Sequence, residues 1–151
     1  MAMNYTSSGP IGGVAFRVKV SGTANMSTPA NSDTITWGVE QKDIGSNFGS
    51  NQFTAPIDGL YQMSYMVGVN VMDSANDHIH VQLRTSNVSY EYSGIIDPGK
   101  FSGDVAYWSW TGAMLVDMDA SDVCWLAWYF SSGSTVSAIR LYSWWSGVLV
   151  A

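Results

Sequence analysis

The chain is poor in charge, in cysteine and in helical periodicity. Only 12% of its 151 residues are charged, about half the roughly 25% usual for soluble domains. Six Lys and Arg against twelve Asp and Glu leave a net charge of -6. That balance repels a nucleic-acid backbone or an anionic lipid face, so neither is expected as a partner. The single cysteine, Cys124, excludes an intrachain disulfide and a thiolate metal cluster. No run approaches the 18 or so consecutive apolar residues of a spanning helix, and the opening Met-Ala-Met-Asn-Tyr-Thr-Ser-Ser-Gly-Pro lacks the basic-then-apolar order of a secretion signal. No membrane insertion is expected, and the chain as written reads as made in the cytosol and soluble. Its length suits one domain.

Two-residue alternation takes the place of helical spacing. Phe16, Val18 and Val20 alternate with Arg17 and Lys19; Tyr61, Met63, Tyr65, Val67 and Val69 alternate with Gln62, Ser64 and Gly68; Ile79, Val81 and Leu83 alternate with His78, His80, Gln82 and Arg84. Each pattern predicts a half-buried strand. Further strands are expected over 34–40, 88–92, 105–118, 123–130 and 139–150, with turn-rich pieces between them. The total of eight to ten strands predicts an all-β antiparallel sandwich, with a jelly roll or an immunoglobulin-like topology as the alternatives. Residues 1–13, rich in Gly and Ser, are expected to form a flexible or docking arm ahead of a domain over 14–151.

Three late strands are apolar on both faces. In 105–116 one face carries Val105, Tyr107, Ala113 and Leu115, and the other Ala106, Trp108, Trp110, Met114 and Val116. In 123–130 Cys124, Leu126, Trp128 and Phe130 oppose Val123, Trp125, Ala127 and Tyr129, and in 139–150 Leu141, Trp145 and Leu149 oppose Tyr142, Trp144, Val148 and Val150. A sandwich buries one face of each sheet, so the second apolar face calls for another protein surface or a ligand, and a homo-oligomer is expected.

One stretch carries a family pattern. Trp37, Asp43, Phe48 and Phe53 lead into Thr54-Ala-Pro-Ile-Asp-Gly59-Leu-Tyr61-Gln-Met63-Ser-Tyr65, which resembles the signature of the globular head of complement component 1q and its tumour necrosis factor-like relatives. Ala15-Phe16 is similar to that family's opening strand, Ser121-Asp-Val-Cys124-Trp-Leu126 to its Gly-Asp-x-Val-x-Leu, and Ser143-Trp-Trp-Ser-Gly147-Val-Leu-Val150 to its closing strand. The departures are Trp37 and Met63 where the family prefers Phe, a shorter gap before Phe53, and Ser121 in place of Gly.

The resemblance implies a ten-stranded jelly roll packed as a homotrimer, with apolar aromatics along the three-fold axis. It also implies that the first strand, the last strand, 59–71 and 105–118 share the trimer-facing sheet. The aromatics of those strands, Tyr61, Tyr65, Tyr107, Trp108, Trp110, Tyr142, Trp144 and Trp145, become the candidate trimer interface. The family places 123–130 in the other sheet, so Trp125 and Tyr129 become a candidate second contact surface, with packing under a loop as the alternative.

Catalytic motifs are missing: there is no Gly-x-Ser-x-Gly elbow, phosphate-binding loop or His-Glu-x-x-His, and no enzyme is expected. No cofactor is expected either, apart from calcium, which several complement-head relatives carry. Asp97 and Asp104 are its candidate ligands; His78 and His80, which share one strand face, rank behind them as candidates for a metal site of another kind. Cys124 reads as a buried small apolar residue.

These features together predict a non-enzymatic trimeric binding protein similar to stand-alone phage or bacterial members of the family. The expected place is a virion surface, as a capsid knob or decoration or as the receptor-binding tip of a tail fibre, held to a larger virion or fibre protein by the N-terminal arm. Its ligand would be a host surface receptor or glycan. The alternative is extracellular: a secreted recognition protein, a cytokine-like ligand or a lectin-like glycan binder. Strand parity puts the connections near 70–78, 94–104 and 131–137 at the end away from the termini, and 86–88 and 117–122 beside them.

Overall fold

A computed structural model describes residues 13–22, 24–25, 33–131, 138–139 and 142–151. The expected arm over 1–13 lies, apart from Gly13, outside the described residues, as do 132–137. In chain order the strands are β1 (Ala15–Lys19), β2 (Ala24–Asn25), β3 (Asp33–Thr34), β4 (Val39–Ile44), β5 (Phe48–Gly49), β6 (Gln52–Thr54), β7 (Gly59–Val69), β8 (His78–Thr85), β9 (Ser89–Ile96), β10 (Trp108–Met118), β11 (Val123–Ser131), β12 (Ala138–Ile139) and β13 (Trp144–Leu149). They pair antiparallel in two stacked sheets: the sandwich that the alternation predicts, with the jelly-roll topology that the resemblance implies.

The first sheet runs β2-β12-β7-β13-β1-β4, with β10 on the other edge of β7. The second runs β5-β6-β11-β8-β9, with β3 also on β11. The opening strand, the closing strand, β7 and β10 thus share one sheet, and β11 lies in the other, as expected.

Alternation decides which side chains fill the space between the sheets. Phe16 and Val18 of β1, Tyr61, Met63, Tyr65 and Val67 of β7, Trp110 and Val116 of β10, and Trp145 of β13 meet Ile79, Val81 and Leu83 of β8 and Leu126, Trp128 and Phe130 of β11. Each contributes on the order of 1.5–3 kcal/mol through burial. Aromatic rings lock the layers together: Phe16 stacks on Phe53 at 4.8 Å and meets Trp145 edge-on at 4.7 Å.

Several elements differ from the expected ones, among them 105–118, which begins at Trp108, and 88–92, which runs Ser89–Ile96. The strand expected over 34–40 is split, because the chain changes sheets there: Ile35 N donates to the Leu126 carbonyl of the second sheet, and Gly38 N to the Lys19 carbonyl of the first. The hairpin β5–β6 was not expected. It turns through Ser50 and Asn51 at φ 51 and 64, a primed turn built without the Asn-Gly pair that usually announces one. The strand expected over 139–150 is broken at Ser143, a fully buried residue whose Oγ accepts from Gly68 N at 2.9 Å and donates to Gly68 O. Its side chain stands in for the ladder bonds where the partner of β7 changes from β13 to β12.

The two ends of the barrel follow the parity argument within the described residues. Met72 and Val105 exchange backbone hydrogen bonds at 2.9 and 3.0 Å, and Asp104 accepts from Ser74 N and Oγ, so the loops around 72–77 and 104 meet. At the opposite end Asp122 accepts from Ser86 Oγ and Asn87 Nδ2, Ala120 N donates to Asp58, and Leu60 N donates to the carbonyl of Ala151.

Candidate interaction face

The outward side of the first sheet can be read row by row from the strand registers, because residues directly opposite share a face. Beginning at the end that holds the C-terminus, Asp117 of β10 lies beside Leu60 of β7, and Leu115 beside Gln62, Val148 and Ala15. Ala113 follows with Ser64, Ser146, Arg17 and Lys42, then Thr111 with Met66, Trp144 and Lys19, and Ser109 with Gly68 at the far end. Tyr142 lies flat over Gly68, where any Cβ would run into its ring.

This face is uneven in chemistry. Near the C-terminus it is apolar and open: Leu115 is 54% and Val150 53% exposed, with Leu60 and Val148 also exposed. Its middle is lined by small polar residues. The far end carries Tyr107, 67% exposed, and Tyr142, which flank a hollow of about 310 Å³ with Ser109. The β1–β4 margin carries Arg17, Lys19 and Lys42.

The structure divides the eight aromatic candidates for the trimer interface. Tyr61, Tyr65, Trp110 and Trp145 are at most 4% exposed and belong to the core of one subunit, which corrects the expectation that they meet a partner. The cause is parity: they occupy inward positions, and the second sheet already covers them. Burial also raises the pKa of the Tyr61 hydroxyl, which donates to the Ile57 carbonyl at 2.6 Å. Trp108 is inward and half-buried between Phe101 and Trp110. Tyr107, Tyr142 and Trp144 remain on the outward side. Leu60, Leu115 and Val148 share that face and were not singled out; the row-to-row register is what groups them.

On the second sheet, Trp125 and Tyr129 are half-buried on the outward side of β11. Tyr129 stacks on both His78 and His80, at 5.2 and 4.9 Å. The two imidazoles lie parallel at 5.8 Å, with planes 4° apart. Burial, then the charges of His78 and Arg84, push the pKa of His80 down to about 4.

The acidic candidates are engaged elsewhere. Asp97 caps the short 3-10 turn Pro98–Lys100 by accepting from Gly99 N, with Lys100 Nζ 3.6 Å from its other oxygen. Asp104 holds Ser74. Among the described residues no three His, Cys, Asp or Glu side chains are grouped so as to hold a metal ion. Asp97 and Asp104 thus serve the loops that carry them, and among the described residues neither that pair nor His78 with His80 is joined by a third His, Cys, Asp or Glu side chain in one group. Cys124 is fully buried among apolar neighbours, which raises its thiol pKa far above the usual range.

Solved structures share this architecture. The globular domain of zebrafish complement 1qA protein superposes with a TM-score of 0.65 at 16% identity, covering 92% of this chain and 98% of that one. The chain has the complement-head and tumour necrosis factor-like fold. Murine APRIL matches at TM-score 0.63 and 10% identity over 91% of this chain and 99% of its own. The Eiger TNF of S. frugiperda matches at 0.64 and 14% over 92% and 93%. No protein-family model matches the sequence, and no curated protein matches it. At these identities the likeness is one of fold.

Proposed function

We propose that this chain is a non-enzymatic binding or ligand domain that assembles as a homotrimer through the outward face of its first sheet. One observation carries the reading. The core is complete within a single subunit, yet Leu60, Leu115, Val148 and Val150 stand together in open solvent on adjacent strands. A contiguous apolar surface of this kind marks a contact site. Tyr107, Tyr142 and Trp144 extend it toward the far end, and Trp125 with Tyr129 on the other sheet form the proposed second contact surface.

The fold shared with complement-head and tumour necrosis factor-like structures supports a binding or ligand role, and it lends no weight to a virion placement over an extracellular one. The carrier thus belongs to the proposal: a virion or fibre protein holding the N-terminal arm, or no carrier in an extracellular recognition protein. A host receptor or a glycan is the proposed ligand in either setting.

Sedimentation of the purified chain tests the assembly. Wild type is expected to sediment as three chains. Leu115→Asp combined with Val148→Asp is expected to give single chains that keep the near-ultraviolet dichroism of the buried tryptophans. Wild-type protein that sediments as one chain at micromolar concentration would sink the proposal.

A further inference from the structure

We infer that the hollow between Tyr107 and Tyr142, at the far end of the domain, binds one neutral sugar ring. This site serves the ligand role proposed above, on which it rests, and it specifies the class of ligand.

Exposed aromatic rings gather at this end. Among the described residues three Phe, Tyr or Trp side chains are exposed: Tyr107 at 67%, Tyr142 at 44% and Phe101 at 40%. The other described aromatics are buried or half-buried. Phe101 packs on Trp108 at 6.0 Å, and Tyr107, Trp108, Ser109 and Tyr142 border a single hollow of about 310 Å³. Rings collected around one concavity mark a ligand site more than scattered ones do.

Both tyrosines project from anchored backbone. Tyr142 precedes Ser143, which is fully buried and whose Oγ accepts from Gly68 N and donates to Gly68 O. The Tyr142 ring covers that glycine, where a Cβ would strike it. Tyr107 lies between Val105, which exchanges backbone hydrogen bonds with Met72, and Trp108, the first residue of β10, opposite Val69. A site held in this way has less to order when a ligand arrives.

The chemistry of the lining selects the ligand. None of the four bordering residues is charged, so an ion finds no counter-charge among them and would lose hydration without return. The volume stands at the low end of the roughly 300–1,000 Å³ of small-molecule sites, which suits a ring rather than an extended chain. A pyranose offers a face of C–H groups and a rim of hydroxyls. Aromatic faces take the first, and the phenol and serine hydroxyls pair with the second. A closed three-fold assembly sets three such hollows at one end, away from the C-terminus, so weak single contacts gain avidity on a surface that displays many copies of the sugar.

Saturation-transfer NMR of the whole chain with the methyl glycosides of galactose, mannose, fucose and N-acetylglucosamine measures the single contact. An array of immobilised glycans ending in these sugars or in sialic acid measures it with avidity. At least one neutral glycoside is expected to bind with a Kd on the order of 1 mM. Tyr107→Ala and Tyr142→Ala are each expected to weaken binding by on the order of ten-fold. Tyr142→Phe, which keeps the ring and deletes the hydroxyl, is expected to lose less, and Gly68→Ala, which lifts the ring, to weaken binding as well. Sedimentation and near-ultraviolet dichroism are expected to stay as in wild type for all four. The absence of any glycoside signal, binding that survives both alanine variants, or a preference for sialylated ends overturns the site. So does loss of binding in which the alanine variants fall into single chains, because the tyrosines are then contacts between copies. A wild-type protein that sediments as one chain and still binds the glycoside through both tyrosines upholds the hollow and removes the trimer alone.

Discussion

The indole N–H of Trp110 donates to the carbonyl oxygen of Gly94 at 2.8 Å and so joins the edge strand of one sheet to the edge strand of the other. Gly94 has φ +56, a left-handed backbone that aims its carbonyl across the gap. The same ring crosses Trp128 at 4.9 Å and 88°. Trp110→Phe keeps most of the packing and deletes the donor, so it is expected to lower unfolding free energy by about 1–3 kcal/mol. Gly94→Ala is expected to cost about 1–2 kcal/mol through backbone strain. Urea titrations of both variants, followed by tryptophan fluorescence, check this; an unchanged midpoint for Trp110→Phe would mean that the bond contributes nothing net.

Two glycines under tyrosine rings are expected to behave differently. A Cβ on Gly112 would strike the ring of Tyr65, and one on Gly68 the ring of Tyr142. Tyr65 is 1% exposed and cannot withdraw, whereas Tyr142 is 44% exposed and can tilt into solvent. Gly112→Ala should therefore overpack the core and cost about 1–3 kcal/mol. Gly68→Ala should lose less. Thermal melts of the pair decide the matter, and equal losses would refute the distinction.

The depressed pKa of His80 makes stability depend on pH. Its folded value near 4 lies below the roughly 6.5 of an unfolded chain. Between those values the unfolded state binds more protons, so stability falls as pH drops from about 6.5 toward 4, and this group adds no slope above that window. His80→Gln is expected to flatten the dependence. Urea midpoints taken from pH 7.5 to 4 for both proteins test it; parallel curves would assign the slope to other groups.

Cys124 is expected to be inert toward an aromatic disulfide reagent in the native protein and to react at the rate of unfolding. Both burial and the raised pKa deny it a thiolate at neutral pH. Rapid labelling without denaturant would contradict its placement. Cys124→Ser, which buries a hydroxyl, is expected to cost more than Cys124→Ala, by about 1 kcal/mol or more.

Some misreadings trace to single residues. Ser143 replaces ladder bonds with its hydroxyl, which no alternation pattern records. The turn at Ser50 and Asn51 places two non-glycine residues at positive φ, so the usual glycine signal is absent. Gly38 sits where the chain crosses from one sheet to the other, and the strand-forming run Thr34-Ile35-Thr36-Trp37 before it concealed that step. The interaction face was harder to read, because Leu60, Leu115 and Val148 are distant in sequence and become neighbours only through the pairing of β7 with β10 and β13.

Period-two alternation by itself determined which residues of each strand share a side, and with the family-like stretch from Trp37 to Tyr65 it determined the sandwich. Only the tertiary structure decided which side of a doubly apolar strand is the core. In β10 both Trp110 and Leu115 carry enough apolar surface to be buried, and parity sorts them into two sets without ranking those sets. The choice falls to the opposing sheet, whose Trp128 and Leu126 fill the space on the Trp110 side and leave Leu115 in water. Close packing between two layers is a property of both sequences at once, and no single strand contains it.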